Sequence, residues 1–294
     1  MSRGAGLRHR LLLVGSSGRV GSLMLKYWRR SPPANFEVIG QRRTADVTAD
    51  ENTIVWDLKS APPADIIRHG AETTMIVMAG ITPASGSPLQ GNRDIAIECV
   101  EVAQRIGARR VLFSSSSSVY GPGLGTPINE SYNPDQQNAY GESKLAMEAA
   151  IFDSAGELDY SILRIGNVLG ADALLTAARK LKCGEPLELD QFESGGGPVR
   201  SYIDPALLTC VLESLACYPS GLPRVLNVAC PTPVSMQALA DAARIPWRWR
   251  PAPSIAYERI VLDCDLLQQY HKFEQGDCNP SSMISRLEDL GFTL

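Results

Sequence analysis

One heptapeptide, Gly15-Ser16-Ser17-Gly18-Arg19-Val20-Gly21, constrains this chain more than any other feature. It follows the apolar run Leu11-Leu12-Leu13-Val14 and opens a helical pattern, Gly18 to Arg30, that stops at Pro32-Pro33. Three glycines between a strand and a helix meet three needs: a tight turn, close backbone approach to a pyrophosphate, and close helix–strand packing. The first helical amides and the positive end of the helix then face the phosphates. Gly15, Ser17, Gly18, Arg19, Val20 and Gly21 are therefore candidate dinucleotide contacts. A strand–turn–helix without a ligand is the alternative, because such a motif depends on its context.

The context is alternating. Strands are expected at Arg10 to Val14, Phe36 to Ile39, Ile54 to Trp56, Thr73 to Ala79, Arg110 to Ser114 and Tyr160 to Ile165. Between them lie helical patterns at Gly91 to Ile106 and Ala139 to Asp153, the first with Ile95, Cys99, Val102, Ala103 and Ile106 at helical spacing. Strands alternating with helices predict an α/β fold, a doubly wound parallel sheet covered on both faces. After Gly166 the alternation weakens, leaving short apolar runs at Leu187 to Leu189, Val225 to Val228 and Ile260 to Leu262. The reading is a dinucleotide-binding domain over 1–166 and a smaller C-terminal substrate-binding region over 167–294, some segments of which return to the main sheet.

Charge and composition remove other classes. Net charge is −4, without the basic excess of a nucleic-acid binder. Trp247-Arg248-Trp249-Arg250 interleaves bases with aromatics, but between Pro246 and Pro251 it reads as an amphipathic edge strand or a pocket wall. The longest apolar stretches are far short of the roughly 20 residues a membrane span needs. The basic N-terminus is read as neither signal nor transit peptide, since its apolar run is short and feeds directly into the glycine turn. Cys99, Cys183, Cys210, Cys217, Cys230, Cys264 and Cys278 are scattered and odd in number, which fits reduced thiols in a cytoplasm rather than disulfides or zinc. His9, His69 and His271 show no metal spacing, and no metal site is expected.

Cofactor choice is read at the end of the second strand, where an acid holds a ribose 2′-hydroxyl and an arginine accommodates a 2′-phosphate. The segment reads Ile39-Gly40-Gln41-Arg42-Arg43, so NADP is expected ahead of NAD; two solvated arginines are the alternative. Asp57 is placed either to bond the adenine amine or to cap its strand end.

Chemistry is carried by Ser114 to Ser118, directly after an apolar strand, and by Tyr140-Gly141-Glu142-Ser143-Lys144. A tyrosine and lysine four apart share one helix face. A carbonyl that accepts hydride must gain a proton, and an alcohol that donates hydride must lose one. A free tyrosine, with a pKa of about 10, is a poor base at neutral pH. A nearby ammonium favours the phenolate, and a serine hydroxyl can hold the substrate oxygen beside it.

These residues together resemble the extended short-chain dehydrogenase/reductase superfamily, and within it the NAD-dependent epimerase/dehydratase family. The resemblance runs in order through Gly15, Gly18 and Gly21, Asp57-Leu58, Asn92, the S-S-S-x-x-V-Y-G segment, Tyr140 and Lys144. It continues through Leu163-Arg164-Ile165-Gly166-Asn167 and Arg200-Ser201-Tyr202-Ile203-Asp204 to Leu226-Asn227-Val228-Ala229. It implies a Rossmann-like fold with Ser116, Tyr140 and Lys144 as catalytic residues. The cofactor would meet the glycine turn, Arg42, Arg43, Asp57, Leu58, Ala79, Gly80, Asn92, Tyr140 and Lys144. Ser116, Ser117, Asn167 and Arg200 would meet substrate, with the arginine on a phosphate. Sugar-nucleotide chemistry and a homodimer packed through Gly91 to Ile106 and Ala139 to Asp153 are also implied. Two departures qualify this. Ser117-Ser118 replace the Asp-Glu pair that dehydratases use, which argues against water elimination. The acid expected after the second strand is absent. An epimerase, an NADPH-dependent reductase of a sugar or non-sugar carbonyl, and a non-catalytic NADP-binding regulator are the functions in play.

Overall fold

The computed structural model describes residues 9–45, 52–122, 125–135, 138–182 and 185–293. Cys183 falls outside them. In the first half, β1 (His9–Val14), α1 (Arg19–Arg30), β2 (Phe36–Arg42), β3 (Thr53–Val55), α2 (Ala64–Arg68), β4 (Thr73–Val77), α3 (Gly91–Ile106), β5 (Arg110–Ser116), α4 (Ala139–Ser154) and β6 (Tyr160–Ile165) follow one another. The second half holds β7 (Asn167–Val168), α5 (Ala173–Ala178), β8 (Leu187–Gln191), β9 (Val199–Arg200), β10 (Tyr202–Ile203) and α6 (Pro205–Cys217). It ends with β11 (Val225–Val228), β12 (Val234–Ser235), α7 (Met236–Ala242), β13 (Trp247–Pro251), β14 (Arg259–Ile260) and α8 (Pro280–Asp289).

Among the described residues, seven strands form one parallel sheet in the order β11-β6-β5-β4-β1-β2-β3. Alternate side chains of a strand enter opposite layers. Leu11 and Leu13 of β1 join Leu23, Met24 and Trp28 of α1 and the apolar residues of α6 on one face. Leu12 and Val14 join Val100 and Ala103 of α3 and Met147 and Ile151 of α4 on the other. Each fully buried aliphatic chain contributes about 1.5–3 kcal/mol, so burial on both faces outweighs the modest helix propensities along this stretch. Strand order reverses between β1 and β4, which opens a crevice at their carboxyl ends, where open α/β sheets bind ligands.

Several boundaries differ from expectation. β2 runs past Ile39 through Gly40, Gln41 and Arg42, because Gln41 is buried with its amide satisfied: Oε1 accepts from Gly15 N at 3.1 Å and Nε2 donates to Trp56 O at 2.5 Å. Arg42 is thus the last strand residue rather than part of a following loop. β5 continues to Ser116, and β4 stops at Val77. The second half also supplies α6, a layer helix beside α1 that the weakening alternation did not predict. Asp204 caps it, accepting from Ala206 N and Leu207 N at 3.1 Å each, and pairs with Arg286 of α8 at 2.7 Å. β13 lies parallel to β8, where Arg248 pairs with Glu188 and Arg250 with Asp190, so the Trp-Arg run is charge-balanced across the ribbon. Cys99, Cys210, Cys217, Cys230, Cys264 and Cys278 are free thiols. Among the described residues no helix is long and apolar enough to cross a membrane, and no cluster of metal-binding side chains occurs.

Candidate active site

The glycine turn is held by close backbone approach and by Gln41, whose Oε1 accepts from Gly15 N and whose carbonyl accepts from Ser16 Oγ at 2.9 Å. Gly15 has φ +83°, and a Cβ there would stand 2.5 Å from Ala79 N, in the segment that follows β4. A Cβ on Gly21 would stand 2.5 Å from Gly15 O. These contacts bring β1, β4 and α1 together at the crevice. The start of α1 has no side-chain cap and no acidic residue in its first turn, so its amides face the cleft without an internal anion. This arrangement fits the pyrophosphate of a dinucleotide.

On the far side of the crevice, β5 delivers the serines and α4 delivers the tyrosine and lysine. Asn138 caps α4, its Oδ1 accepting from Gly141 N at 2.8 Å, and this fixes the turn that presents Tyr140. Glu148, two turns on, binds α4 down to the sheet. It accepts from Ser115 Oγ at 2.5 Å and pairs with Arg164 of β6 at 2.7 Å, both partners almost fully buried. Lys144 is buried between these layers, and its Nζ donates to Ser114 O at 3.0 Å. Burial lowers its pKa to about 8, against the pull of Glu148. Ser116 Oγ donates to Ser118 Oγ at 3.1 Å and accepts from Ser118 N at 3.2 Å.

The Tyr140 phenol differs from the simple expectation. Burial pushes its pKa up, while the Ser116 hydroxyl and the Arg19 guanidinium pull it back. The Lys144 ammonium is turned to the Ser114 carbonyl, so in the protein alone desolvation outweighs any help from the lysine.

Arg19, Val20, Gly80, Ser116, Tyr140, Lys144 and Asn167 line one cleft of about 290 Å³. It adjoins a second cavity of about 550 Å³, with Ser118 and Asn167 in the walls of both. Ser117 and Arg200 line the second cavity, along with Asn138, Ile255 and Tyr257. Arg200 is held by carbonyls: Nη1 donates to Val199 O and Glu258 O at 2.8 Å each, and Nη2 to Tyr257 O at 2.7 Å. Burial lowers its pKa.

Other expected contacts lie behind or beside the cleft. Asn92, buried at the start of α3, spends its amide on the protein: Oδ1 accepts from Ile81 N at 2.7 Å, and Nδ2 donates to Ile81 O at 2.9 Å and Ser143 Oγ at 3.1 Å. It shapes the segment holding Ala79 and Gly80 and ties it to α4. Arg42 is buried and Arg43 exposed at the end of β2. Asp57 is exposed and accepts from Lys59 N at 3.1 Å, a local turn, while Leu58 packs into the core beneath it. Sequence reasoning missed Thr82, Ser118 and Asp172 in the cleft wall. Asp172 caps α5, accepting from Leu175 N at 3.1 Å and Gly170 N at 3.0 Å, and an aspartate ahead of an apolar run after Gly170 is the clue that could have found it.

Comparison with known proteins gives the family and the fold. The family model described as "NAD dependent epimerase/dehydratase family" matches residues 11–195. UDP-glucose 4-epimerase of Azospirillum brasilense is 30% identical over 174 residues, 55% of this chain and 50% of that protein. dTDP-4-dehydrorhamnose reductase of Burkholderia thailandensis is 28% identical over 268 residues, 86% of this chain and 83% of that protein. The match thus spans about half the length of the first of these curated relatives and most of the second. Among solved structures, MoeE5 in complex with UDP-glucose and NAD superposes with a TM-score of 0.72 at 21% identity, covering 95% of this chain and 99% of that one. UDP-N-acetylglucosamine 4-epimerase from Methanobrevibacter ruminantium M1, in complex with UDP-N-acetylmuramic acid, gives 0.72 at 18%, covering 97% and 99%. At such identities these structures show the shared fold.

Proposed function

The chain belongs to the NAD-dependent epimerase/dehydratase family, and from that premise we propose that it transfers hydride at a carbonyl or hydroxyl carbon of a nucleotide-linked sugar, with Ser116, Tyr140 and Lys144 as catalytic residues. The observation that carries this reading is the convergence of those three side chains on one cleft, which adjoins a chamber walled by Arg200 and by no carboxylate among its lining residues. An unopposed guanidinium suits a phosphate.

A nicotinamide dinucleotide bound here supplies the hydride acceptor and donor. Ser116 holds the substrate oxygen, and Ser118 orients that hydroxyl. Tyr140 takes the proton from an alcohol or returns it to a carbonyl, a role worth roughly 10²–10⁴-fold in rate. Lys144, charged below about pH 8, supplies an ammonium beneath the site and would hold the nicotinamide ribose. Asn167 and Arg200 position the sugar and its phosphates. With the dinucleotide retained by these residues, hydride taken from the sugar carbinol and, once the keto sugar had turned, returned to the other face would give epimerisation. The two positions after Ser116 carry hydroxyls rather than the carboxylic pair that water elimination uses, so dehydration is not assigned.

A second reading rests on the end of β2. Gln41-Arg42-Arg43 offers no carboxylate for a ribose 2′-hydroxyl, which favours NADP and an enzyme that uses NADPH once and releases it. We also propose a substrate region over 167–294, and a homodimer through α3 and α4, on whose outer face Phe152 is exposed; a monomer in light scattering overturns the dimer.

The test is to denature the purified protein, identify any released dinucleotide by mass spectrometry, and incubate the intact protein with UDP- and dTDP-sugars. Retained NAD with interconversion of epimeric sugars supports the first reading. Tight NADPH and weak NADH binding with net reduction supports the second. Turnover of simple ketones without nucleotide-sugar binding sinks the sugar assignment.

A further inference from the structure

Arg19 is the first residue of α1, and its guanidinium does not stay with its own helix. Nη1 donates to Ala171 O at 3.1 Å and Nη2 to Thr82 Oγ1 at 3.3 Å. The three anchor points belong to three separate sides of the catalytic cleft: the glycine turn, the segment after β4, and the segment after β7. The side chain therefore lies as a strap across the cleft mouth. Among the described residues no carboxylate pairs with it. Asp172, next to Ala171, spends its oxygens on Gly170 N and Leu175 N instead. An unneutralised guanidinium beside uncapped helix amides is a strong site for phosphate oxygens, because both kinds of donor favour the same anion.

We propose that the Arg19 side chain is a clasp that takes the phosphate bridge of the bound dinucleotide and, through Thr82 and Ala171, closes the cleft over it and slows its release. This rests on the reading that the cleft holds a nicotinamide dinucleotide. It gives the side chain of Arg19, expected from the sequence only as one contact of the glycine turn, the decisive charge at the phosphate bridge, whereas the choice between cofactors is read at Arg42 and Arg43. Retention of this kind is what a cycle that oxidises and then re-reduces the same sugar requires. The clasp has a second consequence. The charged groups lining the cleft are Arg19 from α1, Lys144 from α4 and Asp172 ahead of α5. Of these, Arg19 is the one that favours the Tyr140 phenolate, with the Ser116 hydroxyl acting in the same sense.

The experiment compares the full-length wild type with Arg19→Ala, Arg19→Gln and Thr82→Val. Binding and release of NADH and NADPH are followed by fluorescence titration and stopped-flow chase, and folding is checked by thermal melting. Loss of a charge-assisted contact predicts roughly 10- to 100-fold weaker binding in both Arg19 variants, most of it in the release rate. A smaller acceleration is expected in Thr82→Val. Ultraviolet titration of the dinucleotide-bound protein should show a phenol ionisation that is absent from Tyr140→Phe and moves to higher pH in Arg19→Gln. Wild-type release from both Arg19 variants overturns the clasp while leaving the cofactor reading intact. A wild type that binds neither dinucleotide overturns both.

Discussion

The two walls of the cleft are made in different ways. On the proposed dinucleotide side, position is set by the sheet and by buried amides: β1, β4 and β5 end together at the crevice, Gly15 lies against Ala79 too closely for any side chain, and Gln41 and Asn92 hold the segments that meet there. On the proposed substrate side, position is set by ribbons of two or three short strands, and Arg200 is steadied by carbonyls of a surface segment around Tyr257 and Glu258. The first wall tolerates almost no change of shape. The second can change its loops without disturbing the sheet. A fold shared at about one-fifth identity by proteins whose own complexes hold different sugar nucleotides fits this division of labour.

That contrast can be broken experimentally. Tyr140→Phe should lower turnover of a substrate found for the wild type by roughly 10²–10⁴-fold, with dinucleotide affinity retained; full turnover would remove the tyrosine from the mechanism. Gly15→Ala should cost about 2–4 kcal/mol in urea unfolding, since it combines a left-handed backbone with overpacking. Gly221→Ala, which meets nothing within 4 Å, should change stability by less than about 0.5 kcal/mol. Equal costs would mean that the close approach of Gly15 to Ala79 imposes no special constraint. Arg200→Met should raise KM for an anionic sugar by roughly 10-fold or more while sparing dinucleotide binding.

A pH titration sharpens the first wall further. Lys144 holds its proton below about pH 8 in the free protein, so dinucleotide affinity should fall as pH rises through that value. Glu148→Gln removes the group that pulls this pKa upward and should move the fall to lower pH; an unmoved limb would detach it from Lys144. Because the folded pKa lies below the unfolded one, this lysine opposes folding below about pH 8, and that cost is relieved as pH rises towards 10.5. A small effect also belongs to the outer ribbon: Arg248→Ala, removing an exposed pair with Glu188, should cost less than about 1 kcal/mol.

What could be read in the sequence follows the same line. β1, β4, β5 and β6 were legible because strands buried on both faces appear as unbroken apolar runs. The glycine turn and the Tyr140–Lys144 spacing were legible because both are local. α6 escaped because it is buried nearly all round, from Ala206 to Ala216, and so lacks the polar stripe that marks a surface helix. Its start was nonetheless written in Asp204-Pro205, a capping residue followed by a proline fit for a first turn. The end of β2 escaped because no pattern predicts that a buried glutamine will find partners on two neighbouring segments. The direction of the Lys144 ammonium escaped because helical spacing fixes a face, not the partner its tip selects.

The place of β11 in the sheet bears on how the chain is made. Val225 to Val228 pair with Ile162 to Ile165, so the strand that finishes the sheet is synthesised long after its neighbour. Until it leaves the ribosome, β6 presents an unpaired apolar edge, the kind of template on which chains join wrongly. A nascent chain halted at the end of β6 would already hold every proposed catalytic side chain. It would still lack the strand that seals that edge, and it would be a client for a chaperone before it could become an enzyme.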